Sequence, residues 1–231
     1  VRLLLKALDP LPRGIYGPHG DQFPRRAALL HPRAAESFVA LELDTGGLVY
    51  SDIWRSAESS LKAIETKEGT LPPGYSGHGY GLALDLAVDA CLARLRCTYP
   101  DLLERLATHG WHCHRRDGER GSEGWHFNYL GTGDQAAVIM AHCNPDVRGT
   151  WGQAAELAIQ FSYPEVVERV EPNEIQMDLA LLGLYHGTID GELGRQSQAA
   201  AQAFSRAWRC PEHGQTFERT LRFVAAEIVR V

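Results

Sequence analysis

Apolar and polar positions along this chain fall into stretches of period two and stretches of period near 3.6, which separate strands from helices. Leu48 to Trp54 and Leu82 to Leu86 alternate and predict strands, as does the aromatic run Trp125 to Tyr129. Helical spacing predicts helices over 34–43, 56–68, 88–109 and 132–142, the third interrupted near Pro100 and closed by Gly110. Asp44-Thr45-Gly46-Gly47, the loop from Gly69 to Gly74, Asp117 to Gly121 and Asn144-Pro145-Asp146 read as turns or breaks. This order of helices then strands suggests the α+β class, with a small antiparallel sheet.

The ends of the chain follow other patterns. Residues 1–33 are rich in Pro, Gly and Arg and predict irregular structure, with at most a helix near the start. Composition changes across 148–171, which reads as a linker region with a short helix over 154–161. From 172 onward three helical stretches appear, over 175–184, from Gly194 onward, and over 217–229. The expected organisation is therefore a domain over 1–147, a linker over 148–171 and a helical bundle over 172–231.

Chemistry concentrates on two of the predicted strands. In Leu82 to Leu86 the three leucines share one face, and Ala83, Asp85 and Ala87 share the other. A carboxylate flanked by alanines has open space above it, and a buried charge there requires a partner. His78 lies seven residues earlier, beyond Gly79 and Gly81, which let the chain bend back toward Asp85. In the second run His126 stands opposite the rings of Trp125, Phe127 and Tyr129. Glu123 precedes His126 by three, so a turn at Gly124 is needed before both act at one point. Two imidazoles, an aspartate and a spare glutamate are the parts of a catalytic zinc site with an open position.

The pattern Ser76-x-His78-x-x-Gly81-x-Ala83-x-Asp85, followed by Glu123-x-Trp125-His126, resembles the zinc D-alanyl-D-alanine peptidases of the VanX and VanY type and many phage endolysins. The resemblance spans roughly residues 25 to 145. It implies a Hedgehog/DD-peptidase-like fold, one Zn²⁺ per chain held by His78, Asp85 and His126, and Glu123 as general base. It also implies a substrate role for the strand-end pair Arg55-Ser56, with the Arg55 fork on a carboxylate or developing oxyanion. Ser76 and Trp125 are expected at the substrate.

A second resemblance lies in the C-terminal part. Leu182-Gly183, Tyr185, Gly187, Ile189-Asp190-Gly191, Gly194, Ser197, Ala200 and Phe204 are similar to the three-helix peptidoglycan-binding module. Ser197 and Ser205 stand where members often carry Thr and Gln. Tyr185 and Asp190 are the expected wall contacts.

Composition narrows the reading without changing it. A net charge of −6 argues against a nucleic-acid surface, and 44% hydrophobic residues against disorder. No apolar run approaches the ~20 residues of a membrane span. The N-terminus lacks the pattern of a secretory signal. Cys91, Cys97, Cys113, Cys143 and Cys210 form no Cys-x-x-Cys pair and read as free thiols. The cluster His109 to His114 reads as a solvated loop rather than a second metal site. Together these readings predict a monomeric zinc peptidase acting on bacterial peptidoglycan at D-amino acids, as a D,D-carboxypeptidase or endopeptidase. An L-alanyl-D-glutamate endopeptidase would share the same parts, and an inactive wall-binding protein is the alternative from another class. Either a phage lysin held in the host cytoplasm before lysis or a secreted or periplasmic wall hydrolase fits, with a slight lean toward the lysin.

Overall fold

The computed structural model describes residues 2–16, 22–66, 72–113, 123–143, 150–168 and 170–231. The expected turn over 117–121, the break at 144–146, part of the loop over 69–74 and His114 lie outside them. The chain is α+β, with two sheets among the described residues. The larger has the order β2-β4-β5-β7-β6, built from β2 (Arg13–Gly14), β4 (Val49–Asp52), β5 (Ala83–Leu86), β6 (Trp111–Cys113) and β7 (His126–Tyr129). Its neighbours are antiparallel except β2 and β4. The smaller sheet joins β1 (Arg2–Ala7) to β3 (Leu29–Leu30) on one side and to β8 (Glu227–Arg230) on the other.

Local chemistry sets the helix ends. Helix α1 (Pro32–Thr45) starts with Pro32 in its first turn and stops at Gly46, whose φ of 67° lets its N–H reach the Glu42 carbonyl. Helix α2 covers Ala57–Thr66. The single helix expected over 88–109 is two: α3 (Val88–Leu95) ends on left-handed Arg96, and α4 (Tyr99–Thr108) begins at a Thr98/Asp101 capping box. Pro100 sits in the first turn of α4, where a missing N–H costs nothing. Beyond β7 come α5 (Asp134–His142), α6 (Thr150–Ser162), α7 (Pro164–Val167), α8 (Pro172–Leu181), α9 (Arg195–Trp208) and α10 (Gln215–Ala225).

The ends of the chain differ from expectation. Residues 2–7 form a strand rather than a helix, with Leu3 and Leu5 buried. The last helix stops at Ala225, and residues 227–230 pair in parallel with β1 in the register Arg2↔Glu227 to Leu5↔Arg230. Trp111 to Cys113 is an edge strand with Trp111 and Cys113 buried, not a solvated loop.

The main core joins the leucine face of β5 to Leu3, Phe38, Tyr50, Trp111 and Phe127. It also includes Ile159 of α6, Tyr163 at the junction of α6 and α7, Val166 of α7, and Phe223 from α10. The described part of the stretch expected as a linker is thus helical and built into this core. A second core, with Ile175, Leu179, Tyr185, Phe204, Phe217 and Leu221, holds α8, α9 and α10 together as a three-helix unit. Among the described residues no helix is long and apolar enough to cross a membrane. The five cysteines are unpaired.

Candidate metal centre

The antiparallel register of β5 and β7 places Asp85 directly opposite His126. Because β side chains alternate, both project to the same face of the sheet, away from the buried leucines. The Gly77–Tyr80 turn of 3₁₀-helix then carries His78 to them. Gly81, with φ of 66°, closes that turn, and a side chain there would strike the backbone of His31 at 2.5 Å. Glycine is required at this position for both reasons.

Three acceptor atoms converge. His78 Nε2 lies 3.2 Å from Asp85 Oδ1 and 3.2 Å from His126 Nδ1, which is itself 2.8 Å from Asp85 Oδ1. The outer nitrogen of each imidazole is fixed by a carbonyl acceptor. His78 Nδ1 donates to the Ile53 carbonyl at 2.7 Å, and His126 Nε2 donates to Asn128 Oδ1 at 3.3 Å. A carbonyl oxygen can only accept, so each outer nitrogen carries the proton and each inner nitrogen presents a lone pair. Two lone pairs and a carboxylate this close repel one another unless a proton or a metal cation lies between them. Ligand atoms on a tetrahedral zinc with bonds of ~2.0–2.1 Å stand about 3.3 Å apart, close to the observed spacings. The donor set of two nitrogens and one oxygen also suits zinc. Among the described residues this is the group of three or more His, Cys, Asp or Glu side chains able to share a metal ion.

The electrostatics agree. Burial works to lower the His78 pKa, but the charge and hydrogen bond of Asp85, helped by Asp52 and opposed by Arg55, raise it overall. Burial alone would raise the Asp85 pKa, yet His78 and His126 hold it far below the usual carboxylate range. The site therefore favours positive charge between these groups, a proton on His78 where no metal ion is bound and a metal cation in its place.

The other expected residues are placed as follows. Ser76 caps the turn, its hydroxyl accepting from the His78 N–H at 3.4 Å. The expected turn before β7 exists, with the His126 N–H donating to the Glu123 carbonyl at 3.0 Å. The unusual backbone falls on Glu123 itself, at φ of 144°, and not on Gly124. Such a conformation costs a non-glycine residue on the order of 1–3 kcal/mol and tends to occur at functional sites. The Tyr99 hydroxyl fixes this turn by donating to the Gly124 carbonyl at 2.6 Å. Arg55 follows β4, its backbone N–H donating to the His78 carbonyl at 3.3 Å. Trp125 is 39% exposed and borders a cavity of about 420 Å³ beside Asp85, which Ser51, Val88, Asp89 and Gly124 also line. Tyr129 packs on Trp111 in the core, with ring centroids 5.1 Å apart.

Three participants were missed. Asp52 faces Asp85 in the register of β4 and β5, and its Oδ2 accepts from both Nε and Nη2 of Arg55. The acid three residues before a strand-end arginine was the available signal. Asn128 is 2% exposed and serves His126, a role visible only once β7 is placed. Tyr16 lies close enough for its hydroxyl pKa to be raised, first by burial and then by Asp52 and Asp85. Nothing in the Pro- and Gly-rich N-terminal segment marked it.

In the C-terminal unit Tyr185 and Asp190 are engaged internally. Gln176 Nε2 donates to both side chains, and Gln176 Oε1 accepts from the N–H groups of Asp190 and Gly191. Tyr185 in turn donates to the Thr188 carbonyl at 2.7 Å. The unit's groove of about 420 Å³ lies elsewhere, lined by Ile175, Leu193, Ser197, His213, Phe217 and Glu218 among others.

Comparison with known proteins adds little. No family model matches the chain. A protein of Nostoc punctiforme named for the OxPP cycle, OpcA, is 40% identical over 60 residues, which is 26% of this chain and 13% of that protein. So short a match carries no family assignment for the chain as a whole.

Proposed function

We propose that this protein is a zinc-dependent peptidase acting on bacterial peptidoglycan, cutting a stem-peptide or cross-link bond next to a D-amino acid. The observation that carries the reading is the convergence of His78 Nε2, Asp85 Oδ1 and His126 Nδ1, with both outer ring nitrogens committed to carbonyl acceptors. His78, Asp85 and His126 would hold the ion. Zinc bound there supplies Lewis acidity toward a carbonyl and lowers the pKa of water.

The chain's own groups do the rest. The Glu123 carboxylate takes a proton from the attacking water and returns it to the leaving amine. Arg55, oriented by Asp52, faces the negative charge that develops on the former carbonyl oxygen. Ile53 and Asn128 keep both imidazoles in the tautomer that presents a lone pair to the ion. The cavity beside Asp85 and Trp125 receives the peptide. The peptidoglycan assignment rests on the two sequence resemblances and on the groove of the C-terminal unit. D,D-peptidase and L-alanyl-D-glutamate endopeptidase activity use the same groups, so the bond is chosen by experiment.

Purified peptidoglycan is digested with the protein and the new termini are identified by mass spectrometry, with and without chelator. The expected result is new termini at D-residues, abolished by chelator and restored by zinc. Unchanged digestion in strong chelator, with no metal found by elemental analysis, removes the mechanism. Zinc binding without any wall cleavage favours a wall-binding protein instead.

A further inference from the structure

The loop that carries His78, residues 72–81, is held from two sides. One side is the end of β4. His78 Nδ1 donates to the Ile53 carbonyl, Trp54 Nε1 donates to the Gly79 carbonyl at 3.1 Å, and the Arg55 N–H donates to the His78 carbonyl. The other side is α10, the last helix of the C-terminal unit. Arg219 Nε donates to the Gly74 carbonyl at 2.5 Å, and its guanidinium lies 4.3 Å from the centre of the Tyr75 ring. Thr220 Oγ1 donates to the Pro73 carbonyl at 3.2 Å, and the Tyr75 hydroxyl donates to Thr216 Oγ1 at 3.4 Å. The Phe223 ring fills the space over Gly79 so closely that a Cβ there would lie 2.6 Å from its Cζ.

Thr216, Arg219, Thr220 and Phe223 follow helical spacing and form one face of α10. Phe217 and Leu221, on another face, belong to the unit's own core. Arg219 is 4% exposed, and its Nη1 is paired with Glu156. A buried arginine with this many commitments fixes geometry rather than adding surface charge. The loop's carbonyls require donors wherever water is excluded, and α10 supplies one to Pro73 and one to Gly74, the latter beside the Tyr80 hydroxyl at 2.8 Å.

We infer that α10 is a working part of the metal site, with Arg219 as the positioning residue that holds the 72–81 loop so that His78 Nε2 meets Asp85 and His126. This rests on the metal reading above. The C-terminal unit is then not a detachable tether, and metal affinity is a property of both units together.

The test uses the full chain. Zinc affinity is measured by competition with a chromophoric chelator, and amide exchange over residues 75–81 is measured in metal-free protein. Arg219→Gln is compared with Phe204→Leu, which weakens the C-terminal core without touching the loop, and with Arg206→Gln on the exposed side of α9. The expected result is at least a tenfold loss of zinc affinity and at least tenfold faster exchange at 75–81 for Arg219→Gln alone. Both controls should stay within threefold of wild type. Affinity and exchange unchanged in folded Arg219→Gln, or lost equally in Phe204→Leu, overturns the inference. If Arg219→Gln does not fold, Thr220→Val decides, since it removes only the donor to Pro73: faster exchange at 75–81 supports the inference and unchanged exchange overturns it. A wild-type protein that binds no zinc fails the metal reading, whereas the exchange measurement still accepts or rejects the positioning role of α10.

Discussion

Asn128→Ala separates the metal centre from the fold around it. In the wild type Asn128 Oδ1 takes the His126 Nε2 proton at 3.3 Å, and the side chain is 2% exposed. Its Nδ2 finds no partner among the described residues, so this amide carries an unmet donor there. Truncation removes that donor and the acceptor together. Leaving the His126 N–H without its acceptor in a buried place costs about 1–3 kcal/mol. The same loss frees the ring to turn or change tautomer, which for a metal-binding histidine costs about 10–100-fold in affinity, or about 1.4–2.8 kcal/mol. The first cost falls on the fold with or without metal, and the second predicts that zinc affinity falls by one to two decades. The metal-free protein should lose less than this in stability, because removing the unmet donor offsets part of the lost contact. Chelator competition reads the first quantity and urea unfolding of metal-free protein the second. Zinc affinity within threefold of wild type in a folded Asn128→Ala protein would refute the assignment of Asn128 as the group that fixes His126.

Three further outcomes are expected. Glu123→Gln lowers kcat/KM on peptidoglycan fragments by roughly 10²- to 10⁴-fold, the usual contribution of a general base, while bound zinc per chain is unchanged. Lost zinc in that variant would make Glu123 a ligand instead. Gly79→Ala drives a methyl toward Phe223 and destabilises the protein by about 1–3 kcal/mol in urea unfolding, and combining it with Phe223→Leu recovers part of the loss. Additive losses would show that the two residues do not meet. His31 packs edge-on against Tyr163 at 5.3 Å, and burial, with the Arg33 charge, lowers its pKa to about 4. The unfolded imidazole takes its proton near pH 6.5 and the folded one only near 4, so acid favours the unfolded chain across that window. Stability should fall by about 1–3 kcal/mol from this group, solvent screening included, and the pH profile of His31→Phe should be flatter by that amount over the same range.

The convergence of His78, Asp85 and His126 was legible in the sequence because its logic is local. Strand alternation put Asp85 opposite the leucines, glycines at 79 and 81 announced a bend, and Glu123 stood three positions before His126. What stayed hidden needed partners far along the chain. Arg2–Leu5 pairs with Glu227–Arg230, a closure that no window of neighbouring residues contains. Without that partner Ile228 and Val229 extend the helical pattern of α10, and 2–7 is too short to be told from a helix by periodicity. The break between α3 and α4 was half visible. Pro100 marked it, but Arg96 takes the left-handed position that usually signals itself as glycine.

The same contrast explains why motif residues and groove-lining residues differ in the C-terminal unit. Gln176 is fully buried, and its amide meets Tyr185, Asp190, Glu192 and Ser197 while accepting from the turn at 190–191. Tyr185 and Asp190 thus belong to the hydrogen-bond network that closes the loop between α8 and α9. A sequence pattern registers such residues because a buried polar network tolerates few replacements, whether or not a ligand touches it. Groove-lining residues such as Leu193, His213 and Glu218 lie at positions where a side chain can change without unfolding the unit, and so leave a weaker mark. Arg219 and Phe223 show the remaining case. In the sequence they are one helical stripe among several, and only the packing of that stripe on the His78 loop turns it from a bundle surface into a support of the candidate metal site.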